Sequence, residues 1–298
     1  MTAAYEGSIS DYGRKYDAVV LVSGKDFPDG LSASTIANSE KIPILYADSS
    51  NSQSALDYIK RNTTAKSRVY IIGGEAAVPA SVEENLKKEH TVERFYGKDR
   101  YSTNLSVLNY EFKQNKSLYN GTTYTQTVFV CSGRDYPDAL VASACKNPIL
   151  SAPSELSSAQ LAVFKDKSVK FVIVGGTGEV SSKVETQLKG LGKSVSRIDG
   201  QNRYETCIKF ASKYFSGASE WVVTDANSYA DALCASYLSS NWNRPLILAS
   251  ESTMLISDSL ASSSYASLVS PSAHIYIGGI VKSAKNAHEL IPTAKSDF

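Results

Sequence analysis

Two arginine–tyrosine pairs are the residues in this sequence best suited to recognition chemistry. Arg100-Tyr101 lies in Gly97-Lys-Asp-Arg-Tyr-Ser-Thr103, and Arg203-Tyr204 in Gly200-Gln-Asn-Arg-Tyr-Glu-Thr206. A guanidinium is a planar fork of donors matched to carboxylate or phosphate, and a neighbouring tyrosine adds a flat face and a hydroxyl. Two readings stand side by side. Each arginine clamps the fold by pairing with Asp99 or with an aspartate of a neighbouring segment, or each lines a groove that takes an anionic ligand. A second set comprises Asp29, Asp138 and Asp231, with Tyr136 beside Asp138. Each aspartate follows a turn-like segment and precedes a run of small residues, as at Leu31–Asn38 and Leu140–Lys146, that reads as a helix. That position predicts an N-cap whose carboxylate accepts orphan backbone N–H groups. The alternative is a recognition or acid–base role. An aspartate at such a helix start also repels phosphate, which argues against a nucleotide there.

Other chemistries find little support. There is no Gly-x-Ser-x-Gly elbow, no H-E-x-x-H and no cysteine beside a repeated histidine. His90, His274 and His288 are far apart, so neither a metal nor a cofactor is expected. With 31 Lys+Arg against 30 Asp+Glu the formal net charge is +1, so no global field draws in nucleic acid and any anion site must be local. No apolar run approaches the roughly 20 residues that cross a bilayer, and the polar opening Met1–Gly13 does not read as a signal peptide. Cys131, Cys145, Cys207 and Cys234 form no C-x-x-C pair and read as small buried hydrophobes rather than a disulfide framework.

The elements that must position these residues come from a repeat. Ser23-Gly-Lys-Asp-Phe-Pro-Asp29-Gly-Leu31 returns as Ser132-Gly-Arg-Asp-Tyr-Pro-Asp138-Ala-Leu140, and again as Asp225-Ala-Asn-Ser-Tyr-Ala-Asp231-Ala-Leu233. Each is followed by a proline-led apolar stretch at Pro43, Pro148 and Pro245, then by an apolar run ending in paired glycines at Gly74, Gly176 and Gly279. The glycine pairs recur at intervals of 102 and 103 residues, and Arg100 and Arg203 are 103 apart. The chain is therefore three copies of one unit, divided as 1–98, 99–200 and 201–298, with about ten extra residues near 113–127 in the second. That insertion reads as a surface elaboration or a binding loop.

Within a copy, short β-branched runs such as Ala18–Val22, Val128–Cys131 and Trp221–Val223 lack alternation, as strands buried on both faces do. They alternate with helically spaced segments, which predicts three Rossmann-like or toprim-like α/β units with mainly parallel sheets. The paired glycines read as sharp strand-to-helix turns. Gly176-Thr-Gly178 matches a dinucleotide fingerprint only in part, since Ser181 stands at its third glycine. Ser81–Glu84 and Ser182–Glu185 are spaced as capping boxes. Ser283–Leu290 reads as a short helix near the end of the chain.

Taken together, the S-G-x-D-[FY]-P-D-[AG]-L, V-Y-I-I-G-G and G-x-[DN]-R-Y-x-T elements resemble the cell-wall-binding repeat type 2 family of Gram-positive surface proteins. The resemblance covers essentially the whole chain. It implies a pseudo-threefold arrangement of three toprim-like units and a non-catalytic, extracellular role in S-layer or surface anchoring. The implied partner is an anionic secondary wall polysaccharide or teichoic-acid-like polymer, with an effector domain expected outside this chain. Carried over residue by residue, the family's motifs fall on Arg100, Tyr101, Arg203 and Tyr204, and on Phe27, Pro28, Asp29, Tyr136, Pro137, Asp138, Tyr229 and Asp231. This sequence departs from the pattern in three ways: no arginine motif precedes the first copy, Ala230 replaces the loop proline, and the third glycine region is shortened. An α/β enzyme acting on wall glycan through the loop aspartates, or a purely structural or adhesive protein, are the rival expectations.

Overall fold

A computed structural model of the protein describes residues 15–50, 52–120, 125–250 and 273–277. The first copy runs β1 (Tyr16–Val22), α1 (Pro28–Glu40), β2 (Ile44–Tyr46), α2 (Gln53–Asn62), β3 (Thr63–Ile72), α3 (Ala80–Leu86) and β4 (Thr91–Phe95). After α4 (Arg100–Gln114) and the short α5 (Lys116–Asn120), the pattern returns as β5 (Gln126–Ser132), α6 (Pro137–Ser143), β6 (Ile149–Ala152), α7 (Ser158–Phe164), β7 (Val169–Val174), α8 (Ser182–Lys189) and β8 (Val195–Ile198). It returns once more as α9 (Arg203–Tyr214), β9 (Glu220–Asp225), α10 (Tyr229–Trp242), β10 (Leu246–Ala249) and β11 (Ala273–Ile277). The predicted Ser283–Leu290 helix, the third glycine pair and the ends of the chain lie outside the described residues.

Among the described residues all strand pairs are parallel, in the orders β2-β1-β3-β4, β6-β5-β7-β8 and β10-β9-β11. The α/β class with three parallel sheets is thus as the sequence predicts. In each sheet the chain leaves the first strand in one direction and returns on its other side. The loops after β1 and β3, and after β5 and β7, therefore flank the point where strand order reverses, at the carboxyl ends of the strands.

Burial on both faces explains the unbroken apolar strands. Along β1, Ala18, Val20 and Val22 face one apolar cluster while Val19 and Leu21 face another. The outer faces of the first two sheets are covered separately, by α2 and α3 in one copy and α7 and α8 in the next. The inner faces share a single core drawn from all three copies. At its centre α1, α6 and α10 pack against one another pairwise. These helices have no polar face, and nearly every residue from Pro28 to Asn38 is buried.

Three buried helices can approach closely only through small side chains, so the helices carry Ser, Ala and Gly. The serine hydroxyls need partners in an apolar setting, and equivalent serines find the same one. Ser34, Ser143 and Ser236 donate to the carbonyls of Leu31 (2.7 Å), Leu140 (2.6 Å) and Leu233 (2.8 Å) one turn earlier. Asn38 donates from Nδ2 to the Ser143 carbonyl at 2.7 Å, across the first two copies. Among the described residues no disulfide forms, and Cys131 and Cys207 are fully buried.

Two joining helices tie the copies together. From α4, Asn104 donates to the Ile149 carbonyl (2.9 Å) and accepts from the Ser151 amide (2.9 Å), grasping β6 of the second copy. Cys207 occupies the same place on α9, with its sulfur between the Leu246 carbonyl (3.2 Å) and the Leu248 amide (3.4 Å) of β10. A thiol does there weakly what an amide does well. The extra residues after α4 are not a free surface loop as far as Asn120. Tyr119 on α5 is 2% exposed, donates to Glu111 Oε1 at 3.2 Å and stacks edge-on against Phe112. Residues 121–124 lie outside the described residues.

Asn104→Ala leaves a buried carbonyl and a buried amide without partners, and each such group costs about 1–3 kcal/mol. Denaturant unfolding should therefore show a loss of about 2–4 kcal/mol. Cys207→Ala, which removes weaker bonds, should lose distinctly less.

Candidate functional site

The seams between copies are built from the first-turn residues of the joining helices. Asp99 caps α4, accepting the Ser102 amide at 2.8 Å, while Ser102 Oγ accepts the Asp99 amide at 3.0 Å. Asn202 caps α9 through the amides of Tyr204 and Glu205. Thr103 and Thr206 accept the amides of Gly97 (3.1 Å) and Gly200 (2.9 Å), folding each Gly-to-Thr motif onto its own helix start. These contacts leave Arg100 and Arg203 as the first helical residue, each pointing across a seam.

Both arginines join the loop after one copy's first strand to the equivalent loop of the next. Arg100 donates from Nη1 to the Gly133 carbonyl at 2.8 Å, and its Nη2 lies 3.5 Å from Asp26 Oδ2. Its guanidinium also stands over the Phe27 ring, 5.3 Å from the centroid. Arg203 repeats this with Asp135 at 3.2 Å and the Ala226 carbonyl at 3.5 Å. The clamp reading therefore holds, though not with Asp99, which is occupied in the cap. About a third of each side chain stays exposed, 35% for Arg100 and 36% for Arg203.

The tyrosines are also engaged. The Tyr101 ring lies directly against Gly133, where a side chain would collide with it. Tyr136 donates to the Ala226 carbonyl at 3.2 Å. Its ring also meets its counterparts from the other copies, Phe27 at 5.6 Å and Tyr229 at 6.0 Å, while Phe27 and Tyr229 are 6.3 Å apart. Three sequence-equivalent aromatics thus close a ring at the helix starts, where the three copies meet.

The loop aspartates are not N-caps. The caps of α1 and α6 are Phe27 and Tyr136, with proline next, so Asp29 and Asp138 sit in the second helical position and make no capping bond. Proline starts the helix one residue ahead of the carboxylate. Where Ala230 replaces proline, α10 begins a residue earlier relative to the motif, and Asp231 instead accepts the Ser228 hydroxyl at 2.8 Å. The serine boxes shift likewise. Ser181, not Ser182, caps α8, and Pro79 precedes α3 with Ser81 inside its first turn. Reciprocal boxes form instead at Asp99–Ser102 and Ser157–Gln160.

Asp29 and Asp138 instead press against the glycines that end the third strand of their copies. Gly73 (φ +116°) and Gly175 (φ +114°) have left-handed backbones, and a side chain on either would strike the carboxylate of Asp29 or Asp138. Burial pushes the Asp29 carboxyl up to about 6, helped by nearby Asp26. It pushes Asp138 up to about 7, helped by Glu179 and Asp135. Beside Asp138 opens a pocket of about 380 Å³, walled by the loops after β5, β7 and β8, including Asp135, Glu179, Gly176, Arg203 and Tyr204. The structure thus brings Arg203, Tyr204 and Asp138 together in one pocket. Arg100, Tyr101 and Asp29 share the equivalent seam of the first copy, Asp231 lies at the third helix start, and Tyr136 lies in the aromatic ring.

The cell wall binding domain 2 family model matches residues 3–83, 94–185 and 197–289, one match per copy. The chain belongs to this family. Its three wall-binding repeats form a wall-binding module of the cell surface. The module is 31% identical over 236 residues to N-acetylmuramoyl-L-alanine amidase LytC of Bacillus subtilis, covering 77% of this chain and 44% of that protein. It is 28% identical over 244 residues to the amidase enhancer of the same organism, covering 80% of this chain and 32% of that one. Among solved structures it is similar to Cwp8 from Clostridium difficile, with a TM-score of 0.78, 27% identity, and coverage of 94% of this chain and 48% of that one. The chain thus spans less than half of each of these relatives.

One repeated pair in the wall-binding repeats escapes motif reading. Arg94 donates to Glu83 (2.6 Å) and to the Gly73 carbonyl (2.8 Å). Arg197 donates to Glu185 (3.0 Å) and to the Gly175 carbonyl (2.7 Å). Each fixes the glycine turn against which the buried aspartate rests. The arginines are 103 residues apart and the glutamates 102, the same interval as the motifs, but nothing in their local sequence marks them.

Arg197→Ala should destabilise the wall-binding module by about 2 kcal/mol in urea unfolding, since it removes charge-assisted bonds to a carboxylate and a carbonyl. A second test follows from Asp138, whose folded-state acid is raised from 3.8 to about 7. The folded protein then binds that proton more tightly than the unfolded chain, so this group's contribution to stability falls as pH rises from about 4 to about 7. Asp138→Asn should raise Tm at pH 8 and flatten the stability profile across that window.

Proposed function

We propose that this wall-binding module is non-catalytic and holds an anionic secondary wall polymer non-covalently along its inter-copy seams. Its units are taken as 1–98, 99–200 and 201–298, with a seam at each internal boundary. The observation that carries the reading is the equivalence of Arg100 and Arg203. Each sits at the first position of a joining helix, beside a tyrosine, with a third of its guanidinium side chain open to solvent. Each has donors left over after its internal contacts, because five N–H groups serve one carboxylate and one carbonyl. Negative groups of the polymer meet these arginines, while the exposed edges of Tyr101, Tyr204 and Tyr136 meet sugar rings and hydroxyls. Asp29, Asp138 and Asp231 accept from sugar donors at the same helix starts.

Several features support a binder over a glycan-cleaving enzyme. Asp29 and Asp138 belong to different copies, each beside its own glycine turn, so they do not form an acid–base pair across one bond. Ser67 Oγ lies 2.9 Å from His90 Nδ1, but Ser67 is buried at the amino end of its sheet, away from the seams. LytC and the amidase enhancer have more than half their length outside the matched region. The activity delivered to the wall therefore belongs to segments beyond this chain's counterpart, in keeping with surface or S-layer anchoring.

Sacculi should retain the protein before, and not after, chemical removal of their anionic polymers. Arg100→Ala combined with Arg203→Ala should weaken binding of solubilised polymer at least about tenfold, a loss of about 1.4 kcal/mol. Added salt should weaken the parent protein's binding in the same assay. Unchanged affinity in a folded double variant removes the arginines from the site. Release of cleaved glycan on long incubation overturns the non-catalytic role.

A further inference from the structure

The two seams share a backbone plan but not a charge pattern. At both, the arginine is paired with the loop aspartate three residues before the buried one, Arg100 with Asp26 and Arg203 with Asp135. What remains differs. At the first seam Asp29 is left over without a second unpaired acid against it, since Glu75 in the glycine turn is exposed and Lys98 stands nearby in the motif. Ala77 occupies the glycine-turn position that Glu179 holds in the second copy. At the second seam Asp138 and Glu179 both line the 380 Å³ pocket, and Gln201 replaces the lysine. Among the described residues, Asp138 accepts no hydrogen bond and neither of these two carboxylates enters an ion pair. Arg134, the other cation nearby, directs its Nη2 to the carbonyls of Gly178 and Glu179 at 2.6 and 3.0 Å rather than to either carboxylate.

Arg203 offsets the Asp138 charge only in part, so two carboxylates outside any ion pair in one pocket call for a ligand that brings donors or positive charge. The volume falls within the roughly 300–1,000 Å³ of small-molecule sites. The acidic groups do not converge as a metal would need, since no cluster of three His, Cys, Asp or Glu among the described residues could hold an ion. Donors spread around a ring fit better, with Tyr204 and Gly176 also lining the pocket. We infer that the second-seam pocket binds a sugar carrying a free amino group, its ammonium held between Asp138 and Glu179. This rests on the wall-polymer reading and refines it. Both seams offer an arginine to negative groups, and the second adds an amino-sugar subsite beside Arg203, so the module reads a polymer that carries both charges.

The Asp138 carboxyl, held near 7 by burial and its acidic neighbours, gives the site a further signature. A bound ammonium favours its ionised form, so complex formation releases protons near neutral pH.

The test follows amide chemical shifts of the isotopically labelled full chain during titration with D-glucosamine, N-acetyl-D-glucosamine and D-glucose at neutral pH. Glucosamine should give saturable shifts at Gly176, Gly178 and Tyr204. Each of the other two sugars, lacking the cation, should bind at least about tenfold more weakly, a difference of about 1.4 kcal/mol. Glu179→Gln should cost glucosamine binding about as much, and Asp138→Asn, which also relieves a buried acid, provides a second well-folded variant. Equal binding of the three sugars, no saturable shift with glucosamine, or binding unaffected in both variants overturns the inference. Sacculus retention, measured in parallel, separates the two readings. Retention that depends on the anionic polymer, with no glucosamine response, leaves the polymer reading standing and removes this one.

Discussion

The structure depends on burying three equivalent helices against one another. A helix that covers a sheet keeps a polar face, and α2 and α8 do so, each with only a few buried residues. The central helices have no such face, because each is wrapped by its own sheet and two neighbours. That geometry admits only small side chains, and any hydroxyl among them must bond its own helix. It also makes the copies interdependent. A single core runs through all three, so none is a free-standing domain despite having a complete strand–helix pattern of its own.

The same constraint creates the seams. Bringing three helix starts together places the loops after the first strands of the copies side by side. These loops carry Phe27, Tyr136 and Tyr229, which pack, and Asp29 and Asp138, which are desolvated. A buried carboxylate destabilises the fold when ionised, yet two copies retain it unpaired while the third bonds it to a serine. A purely structural acid would be expected to have a partner everywhere. The cost makes sense if something outside the chain supplies that partner. The joining helices add an arginine at each seam whose internal bonds use only part of its donors. The positive and negative groups of the proposed site are thereby held by elements that cannot shift without disturbing the core.

Much of the fold is legible in the sequence because repetition multiplies weak signals. A single apolar run ending in two glycines reads as a strand and turn; three at intervals of 102 and 103 residues point to copy number and class together. The seam arginines are legible for the same reason. What is lost is anything set by a one-residue offset. The position of Asp29 relative to its helix depends on whether proline or aromatic begins the first turn, and periodicity does not resolve that. Arg94 and Arg197 are invisible for a different reason. Their glutamate partners Glu83 and Glu185 lie 11 and 12 residues away on a separate element, and their other partner is a backbone carbonyl, so no local motif joins them. Tyr119 shows a third limit: an insertion can be read from interval arithmetic, but whether it returns to the core depends on an apolar gap that only packing reveals.

Where the copies diverge, the changes fall into two kinds. Asn104 against Cys207 preserves a contact with poorer chemistry: both reach the same two backbone groups of the neighbouring strand, so the scaffold tolerates the exchange. Ala77 against Glu179 preserves nothing. The first copy closes its glycine turn with a methyl group; the second puts a charge beside an already buried acid, which raises that acid further and repays it with no internal bond. Drift in a scaffold position should move toward neutral or compensated residues, because uncompensated burial of charge is selected against through stability alone. A substitution that runs the other way, beside a pocket and at the reversal point of a parallel sheet, is what the proposed amino-sugar subsite would require. The repeat therefore supplies its own control: one copy shows what the fold requires, and the other shows what has been added to it.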